Sequence, residues 1–246
     1  MDFFLITQPR SGTHLLTDIL GNHPELSWLP LDYHSYRDEI YKILSNKPLI
    51  GEFTKTFLLQ TFFNSCYKSK KTNTNVGFFT HFDAAIQNNL VYVFKRINKN
   101  LKVILLKRRN TLKQYVSCLI RQEREKQFNS QNIDFLNFEK PFLQINCNVN
   151  NFFNFYKDFE IHYIDIKTSL ERYRIPFIEI YYEDLRANSK IELEKIKKLF
   201  NLKTDISPES KFFKLETRPL NEIILNFNEF YEKLKNTKFN IFFKTV

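Results

Sequence analysis

Phe3-Phe4-Leu5-Ile6-Thr7-Gln8-Pro9-Arg10-Ser11-Gly12-Thr13-His14-Leu15-Leu16-Thr17-Asp18-Ile19-Leu20 runs from an apolar segment through a tight basic turn into an amphipathic one. This order predicts a strand, a loop and a helix. The helix start leaves backbone N–H groups without intrahelical partners, the macrodipole adds about half a positive charge there, and Arg10 sets a guanidinium beside them. Such a turn suits a phosphate or a sulfate. Taken alone, the same residues also read as a plain strand-turn-helix with a surface Arg.

Outward from this stretch, short apolar runs alternate with longer amphipathic ones. Strands are expected at Phe3 to Thr7, Val76 to Phe82, Lys102 to Lys107 and Pro176 to Tyr181, with a fifth near Leu49-Ile50. Helices are expected at about 13 to 22, 36 to 46, 53 to 68, 83 to 99, 110 to 127, 151 to 173, 188 to 200 and 221 to 235. The rhythm is βα, which predicts the α/β class: a single domain over residues 1–246 whose parallel sheet of about four or five strands carries helices on both faces. The polar stretch from Phe128 to Asn150, rich in Asn and Gln, reads as a functional lid or as a surface loop.

The chain carries a formal net charge of +10 with a sequence pI near 9.3, which favours an anionic partner. Its basic residues are scattered, with short clusters only at Lys68-Lys70-Lys71 and Lys107-Arg108-Arg109, so a specific nucleic-acid surface is a secondary reading. Cys66, Cys118 and Cys147 form no C-x-x-C pair, which points to neither a zinc site nor a disulfide framework and fits reduced thiols in the cytoplasm. No apolar run approaches the roughly 18 residues needed to span a bilayer, and a strand starting at residue 3 leaves no room for a signal peptide. A composition 43% hydrophobic and 16% aromatic argues for a folded globule. The abundance of Phe, Lys, Asn and Ile makes any single exposed Phe weak evidence of a binding site.

Pro9-Arg10-Ser11-Gly12-Thr13 resembles the 5′-phosphosulfate loop, P-[RK]-S-G-T, of the sulfotransferases that use 3′-phosphoadenosine 5′-phosphosulfate, and His23-Pro24 resembles the pair that closes the following helix in the bacterial and carbohydrate branches. The resemblance implies a P-loop NTPase-like three-layer sandwich, a metal-free reaction, and sulfuryl transfer to a hydroxyl or amine of a carbohydrate, lipid or other small acceptor. Arg10, Ser11, Gly12, Thr13 and His14 are then the donor loop, with Arg10 also catalytic and His14 standing where many members have Thr or Ser.

A second element follows the strand Lys102 to Lys107. Arg109 and Ser117 stand eight residues apart, as in the family's 3′-phosphate site, and a rise of about 1.5 Å per residue lets both reach one phosphate. Arg108 is the competing residue if the register shifts by one. Gln114-Tyr115-Val116-Ser117 resembles the Q-A-V-S of bacterial members. Tyr182-Glu183-Asp184-Leu185 resembles their Y-E-D-L, which implies that Tyr182 lies near the adenine and that Glu183 and Asp184 cap the next helix; packing in the core or rim is the other reading of Tyr182. The stretches from Pro219 to Phe227 and from Leu234 to Phe239 resemble the family's N-Y/W-x-E-L…L-x-G-T-x-Y tail.

An acceptor hydroxyl needs a general base within hydrogen-bond reach. Many bacterial members place a Glu about seven residues after His-Pro, where Asp32 is the nearest match and His34 follows. The cytosolic branch uses a His, and His81 at the end of the Val76 to Phe82 strand is its counterpart, at the edge where strand C-termini open onto sites in α/β sheets. The G-x-W-K-x-x-F loop of that branch is absent, and Lys214 or Arg218 would have to replace its phosphate contacts. Two rival readings are a nucleotide kinase, which lacks the G-x-x-x-x-G-K-[ST] it needs, and a nucleotide- or glycan-binding module without a base.

Overall fold

The computed structural model describes residues 2–28, 75–87, 90–128, 143–211 and 218–244. The expected helices at 36 to 46 and 53 to 68, the expected strand near Leu49-Ile50, and Asp32, His34 and Lys214 lie outside them. Contacts gather into two compact units interleaved along the chain, one formed by 1–107 with 161–213 and the other by 108–160 with 214–246.

The first unit holds a parallel five-stranded sheet. Its strands are β1 (Phe3–Thr7), β2 (Leu26–Trp28), β3 (Asn75–His81), β4 (Lys102–Lys107) and β5 (Phe177–Tyr181), in the order β2-β3-β1-β4-β5. Every pairing is parallel. The helices assigned wholly to this unit are α1 (Thr13–Gly21), α2 (Phe82–Gln87), α3 (Leu90–Ile97), α6 (Tyr182–Ala187) and α7 (Ser189–Phe200). β1 is buried along its whole length, as a central parallel strand covered on both faces must be.

Side-chain alternation divides β1 between two cores. Phe4 and Ile6 pack with Phe82, Leu90 and Phe94 of α2 and α3, and with Ile166 and Leu170, while Phe3 and Leu5 pack with Leu16 and Ile19 of α1 and with Ile196 and Phe200 of α7. The central strand thus has helices on each face. Gly77 is required where the Phe3 ring crosses β3, since a Cβ there would stand 2.1 Å from Phe3 Cζ. The fifth strand is Leu26–Trp28 on the outer edge of β3, a three-residue segment too short to show strand periodicity. After α1, His23 is buried; Glu25 N donates to its Nδ1 at 3.2 Å, and its Nε2 lies 2.9 Å from Thr204 Oγ1.

The second unit contains α4 (Thr111–Phe128), the first half of α5 (Val149–Arg172), α8 (Leu220–Ile223), α9 (Phe227–Leu234), a 3₁₀ turn at Lys238–Asn240 and α10 (Ile241–Lys244). Its core is aromatic: Phe152 lies 5.3 Å from Phe239 and 5.6 Å from Tyr115, ring to ring. Residues 143–148 correct the lid expectation for their part of the 128–150 stretch. Leu143, Ile145 and Cys147 are buried there, Ile145 bridges Ile224 in parallel, and the Asn226 side chain bonds both N and O of Cys147 at 2.9 Å. The apolar residues alternate with polar ones in that run, and the backbone is tied on one side. The expected helix at 221 to 235 is broken into α8 and α9, where Ile224 leaves helical geometry to make its bridge.

Candidate functional site

The turn between β1 and α1 is built by its own short polar side chains. Gln8 O accepts from Ser11 Oγ at 2.6 Å, from Ser11 N at 3.3 Å and from Thr7 Oγ1 at 3.2 Å. Thr7 Oγ1 also lies 2.7 Å from Ser11 Oγ and 3.1 Å from Thr13 Oγ1. Ser11 is fully buried and Thr13 nearly so, which leaves their hydroxyls inside the turn, holding its shape. Arg10 and Gly12 have φ of 63° and 92°, while Ser11 between them is outside the positive region. Alternation of this kind turns successive N–H groups toward one concavity, the geometry that receives anions. The N-cap of α1 is Gly12, and no described side chain caps the helix.

Gly12 is needed for a second reason. A Cβ there would stand 2.4 Å from Tyr182 Cδ2, so the Tyr182 ring lies directly against the turn. Tyr182 opens α6, and Glu183 and Asp184 sit in the first turn of that same helix, which corrects the expectation that they cap the next one; the N-cap of α7 is Asn188, whose side chain makes no cap bond. His14 is exposed in the first turn of α1. His81 ends β3 in register with Thr7, the last residue of β1 before the turn. The structure therefore brings Arg10, Ser11, Gly12, Thr13, His14, Tyr182 and the end of β3 together at the C-terminal edge of the sheet.

Arg109 and Ser117 belong to the second unit. Arg109 is exposed just before α4 and Ser117 is half-buried within that helix. Asn110, buried, is the N-cap of α4: its Oδ1 accepts from Lys113 N at 2.8 Å and its Nδ2 donates to Phe242 O at 2.8 Å. This role escaped sequence reasoning although Asn before Thr111-Leu112-Lys113 is an N-cap pattern. Arg218 donates to Leu143 O at 3.1 Å.

Two further residues of the first unit carried no signal. Lys107, nearly buried at the end of β4, holds its ammonium 3.2 Å from the centre of the Tyr163 ring, a cation–π contact. Burial alone would raise the Glu179 carboxyl, but hydrogen bonds from Tyr163 and Lys167 and the charges of Lys167 and Lys107 hold it below the usual carboxylate range. Gln8 is 2% exposed, and neither amide atom has a hydrogen-bond partner among the described residues. A buried amide in that state is uncommon and calls for a physical reason.

No protein-family profile matches the chain, and no curated protein matches its sequence. Solved structures do match it. A sulfotransferase from Alicyclobacillus acidocaldarius superposes with a TM-score of 0.57 at 13% identity, over 99% of this chain and 91% of that one. The sulfotransferase domain from the curacin biosynthetic pathway gives 0.53 at 14%, over 92% and 85%. At such identities the likeness is one of architecture. The chain has a sulfotransferase-type fold, the P-loop-like α/β sandwich with an all-parallel five-stranded sheet.

Proposed function

We propose that the protein is a sulfotransferase that moves a sulfuryl group from 3′-phosphoadenosine 5′-phosphosulfate to a hydroxyl or amine of a carbohydrate, lipid or other small acceptor. The observation that carries this reading is the β1–α1 turn: Pro9 to Thr13, with positive φ at Arg10 and Gly12 and no side-chain cap on α1, on a sulfotransferase-type fold.

In this scheme the N–H groups of Gly12, Thr13 and His14 receive the 5′-phosphosulfate, and Ser11 and Thr13 hold the turn through their hydroxyls. Arg10 stabilises charge on the bridging oxygen as the S–O bond to the phosphate breaks and the bond to the acceptor forms, leaving adenosine 3′,5′-bisphosphate. Arg109 and Ser117 take the 3′-phosphate, and Tyr182 offers its ring to the adenine. The acceptor proton goes to Asp32, His34 or His81; the register of His81 with Thr7 favours His81. No helix among the described residues is long and apolar enough to cross a membrane. No disulfide involves Cys118 or Cys147. We assign the protein to the cytoplasm.

Adenosine 3′,5′-bisphosphate should raise the melting temperature well above the effect of adenosine 5′-monophosphate. Equal shifts would remove Arg109 and Ser117 from the scheme. Replacing Asp32, His34 and His81 in turn by Ala should spare bisphosphate binding, and loss of labelled-sulfate transfer should single out the base. Transfer that survives all three changes would replace a side-chain base with substrate-assisted or water-mediated proton removal.

A further inference from the structure

In the order β2-β3-β1-β4-β5 the chain fills the side of β2 and β3 after leaving β1, then crosses over and fills the side of β4 and β5. The switch point lies between β1 and β4, and ligands in open α/β sheets bind outside the carboxyl ends of the strands at such a point. The β1–α1 turn stands on one side of this crevice. Lys107, the last residue of β4, stands on the other. Thr7 is in register with Leu106, so the next residue on each strand is Gln8 and Lys107. Neighbouring strands lie about 4.8 Å apart, which roots Lys107 beside the residue whose carbonyl gathers the hydrogen bonds of the turn. Across β4 the partner of Lys107 is Tyr181, and the next residue, Tyr182, lays its ring against Gly12.

Lys107 is only 8% exposed, on the sheet face that carries Val103 and Leu105, and its ammonium rests 3.2 Å from the centre of the Tyr163 ring. Glu179 of β5 is in register with Leu105, two residues before Lys107, and pairs with Lys167 at 3.1 Å. The lysine is therefore rooted about 7 Å nearer the carboxyl edge of the sheet than the glutamate. Burial pushes the Glu179 carboxyl up, but the bonds from Tyr163 and Lys167 and the charges of Lys167 and Lys107 hold it below the ordinary range, so it is ionised at neutral pH.

We infer that Lys107 is a supporting cation for anion binding at the β1–α1 turn, acting through space and without touching the ligand, with Glu179 acting in the opposite sense. The inference rests on the proposed function, because it takes a 5′-phosphate at the turn as given. Charge shielded from water is screened far less by solvent and salt than charge on the surface. A buried ammonium is thus felt over a distance at which an exposed lysine is not. Its removal weakens the anion whatever else the ammonium touches: the anion loses an attraction, and every carboxylate left behind adds a repulsion. Loss of the Glu179 charge removes a repulsion and leaves the lysine less compensated.

The test is calorimetric binding of adenosine 5′-monophosphate and adenosine 3′,5′-bisphosphate to the full chain and to Lys107→Met, Lys107→Arg and Glu179→Gln, at about 0.15 M and about 0.5 M salt. Met keeps most of the lysine stem without its charge, and Gln keeps the shape of the carboxylate. Lys107→Met is expected to weaken both nucleotides by the same factor, about three- to tenfold, since both bring a 5′-phosphate to the turn. That loss should persist at the higher salt. Lys107→Arg should stay within about twofold of the wild type, and Glu179→Gln should bind about two- to threefold more tightly. The opposite signs are decisive, because a lysine and a glutamate that merely hold β4, β5 and α5 together would both weaken binding when changed. Weaker binding in both Lys107→Met and Glu179→Gln, or unchanged binding in Lys107→Met, overturns the role of Lys107 and leaves the donor reading standing. Should the Lys107 variants fail to fold, the sign of the Glu179→Gln effect decides alone. Equal wild-type affinity for the two nucleotides overturns the donor reading, while the effect of Lys107, read on either nucleotide, is still decided. Binding of neither overturns both.

Discussion

The two junctions where a central strand runs into a helix, β1 to α1 and β4 to α4, end their strands alike and start their helices differently. α1 begins on Gly12, with left-handed φ and no side-chain cap, and its hydroxyls are turned inward to Thr7 and Gln8. α4 begins on Asn110, whose side chain caps Lys113 N and anchors Phe242 O. Among the described residues one helix start has no side-chain cap; the other is closed by Asn110. An anion at the first junction meets backbone N–H groups, which only chain geometry can supply. An anion at the second must be held by side chains, and Arg109 and Ser117 are the ones we propose for it. The comparison predicts that backbone changes destroy binding at the first junction, whereas side-chain truncations do so at the second.

Gly12→Ala should have the largest effect. The left-handed φ alone costs a non-glycine residue about 1–3 kcal/mol, and the added Cβ must also displace the Tyr182 ring from 2.4 Å. Displacing the turn by an ångström misplaces the reacting groups, so sulfate transfer should fall about 10²-fold. Denaturant titration and single-turnover transfer measure the two losses. A variant that keeps both stability and transfer would mean that the open helix start is not what binds the donor.

Arg109→Ala comes next. Removing a guanidinium from a phosphate forfeits charge-assisted bonds worth about 1.5–3 kcal/mol, or roughly ten- to a hundredfold in Kd. The loss should be confined to adenosine 3′,5′-bisphosphate and spare the 5′-monophosphate. If Arg108→Ala gives that selective loss and Arg109→Ala does not, the register is shifted by one.

Why one junction was easier to read than the other follows from what each uses. Apolar runs such as Phe3 to Thr7 and Lys102 to Lys107 are buried on both faces, so the strands were visible as unbroken hydrophobic stretches and matched at both ends. Pro9-Arg10-Ser11-Gly12-Thr13 was legible because its glycine and short hydroxyl residues are demanded by backbone geometry. The three-residue strand β2 was not legible, since its pairing with β3 comes from tertiary context. Nor was the bond network within the turn: a hydroxyl in a sequence does not say whether it faces a ligand or its own chain. Gln8, whose amide has no partner among the described residues, and Lys107, on the Tyr163 face, are polar residues in buried places, and periodicity carries no mark of such exceptions.

Asn110→Ala should then separate architecture from binding at the second junction. Loss of an N-cap costs about 1–2 kcal/mol, and the Phe242 carbonyl loses its donor as well. Thermal unfolding should register this loss. At a temperature where the variant is folded, its preference for bisphosphate over monophosphate should stay, since the cap is not among the side chains proposed to hold the phosphate. A lost preference would show that closing α4 is what sets Arg109 in place.

The smallest effect is expected at the first junction, where a side chain and not the backbone is changed. Ser11 is fully buried, and its Oγ donates to Gln8 O at 2.6 Å. Ser11→Ala removes that bond and the contact with Thr7, a net cost of about 1 kcal/mol, because Gln8 O retains Ser11 N and Thr7 Oγ1. Thr13→Val should cost less, since the Thr13 hydroxyl makes only the longer contact with Thr7 Oγ1, 3.1 Å, among the described residues. Both variants should bind bisphosphate as the wild type does once folded, for the groups proposed to meet the anion are N–H groups that alanine and valine also carry. A Ser11→Ala protein with unchanged stability but a tenfold weaker bisphosphate complex would reverse the assignment, moving that hydroxyl from the frame of the turn to its ligand.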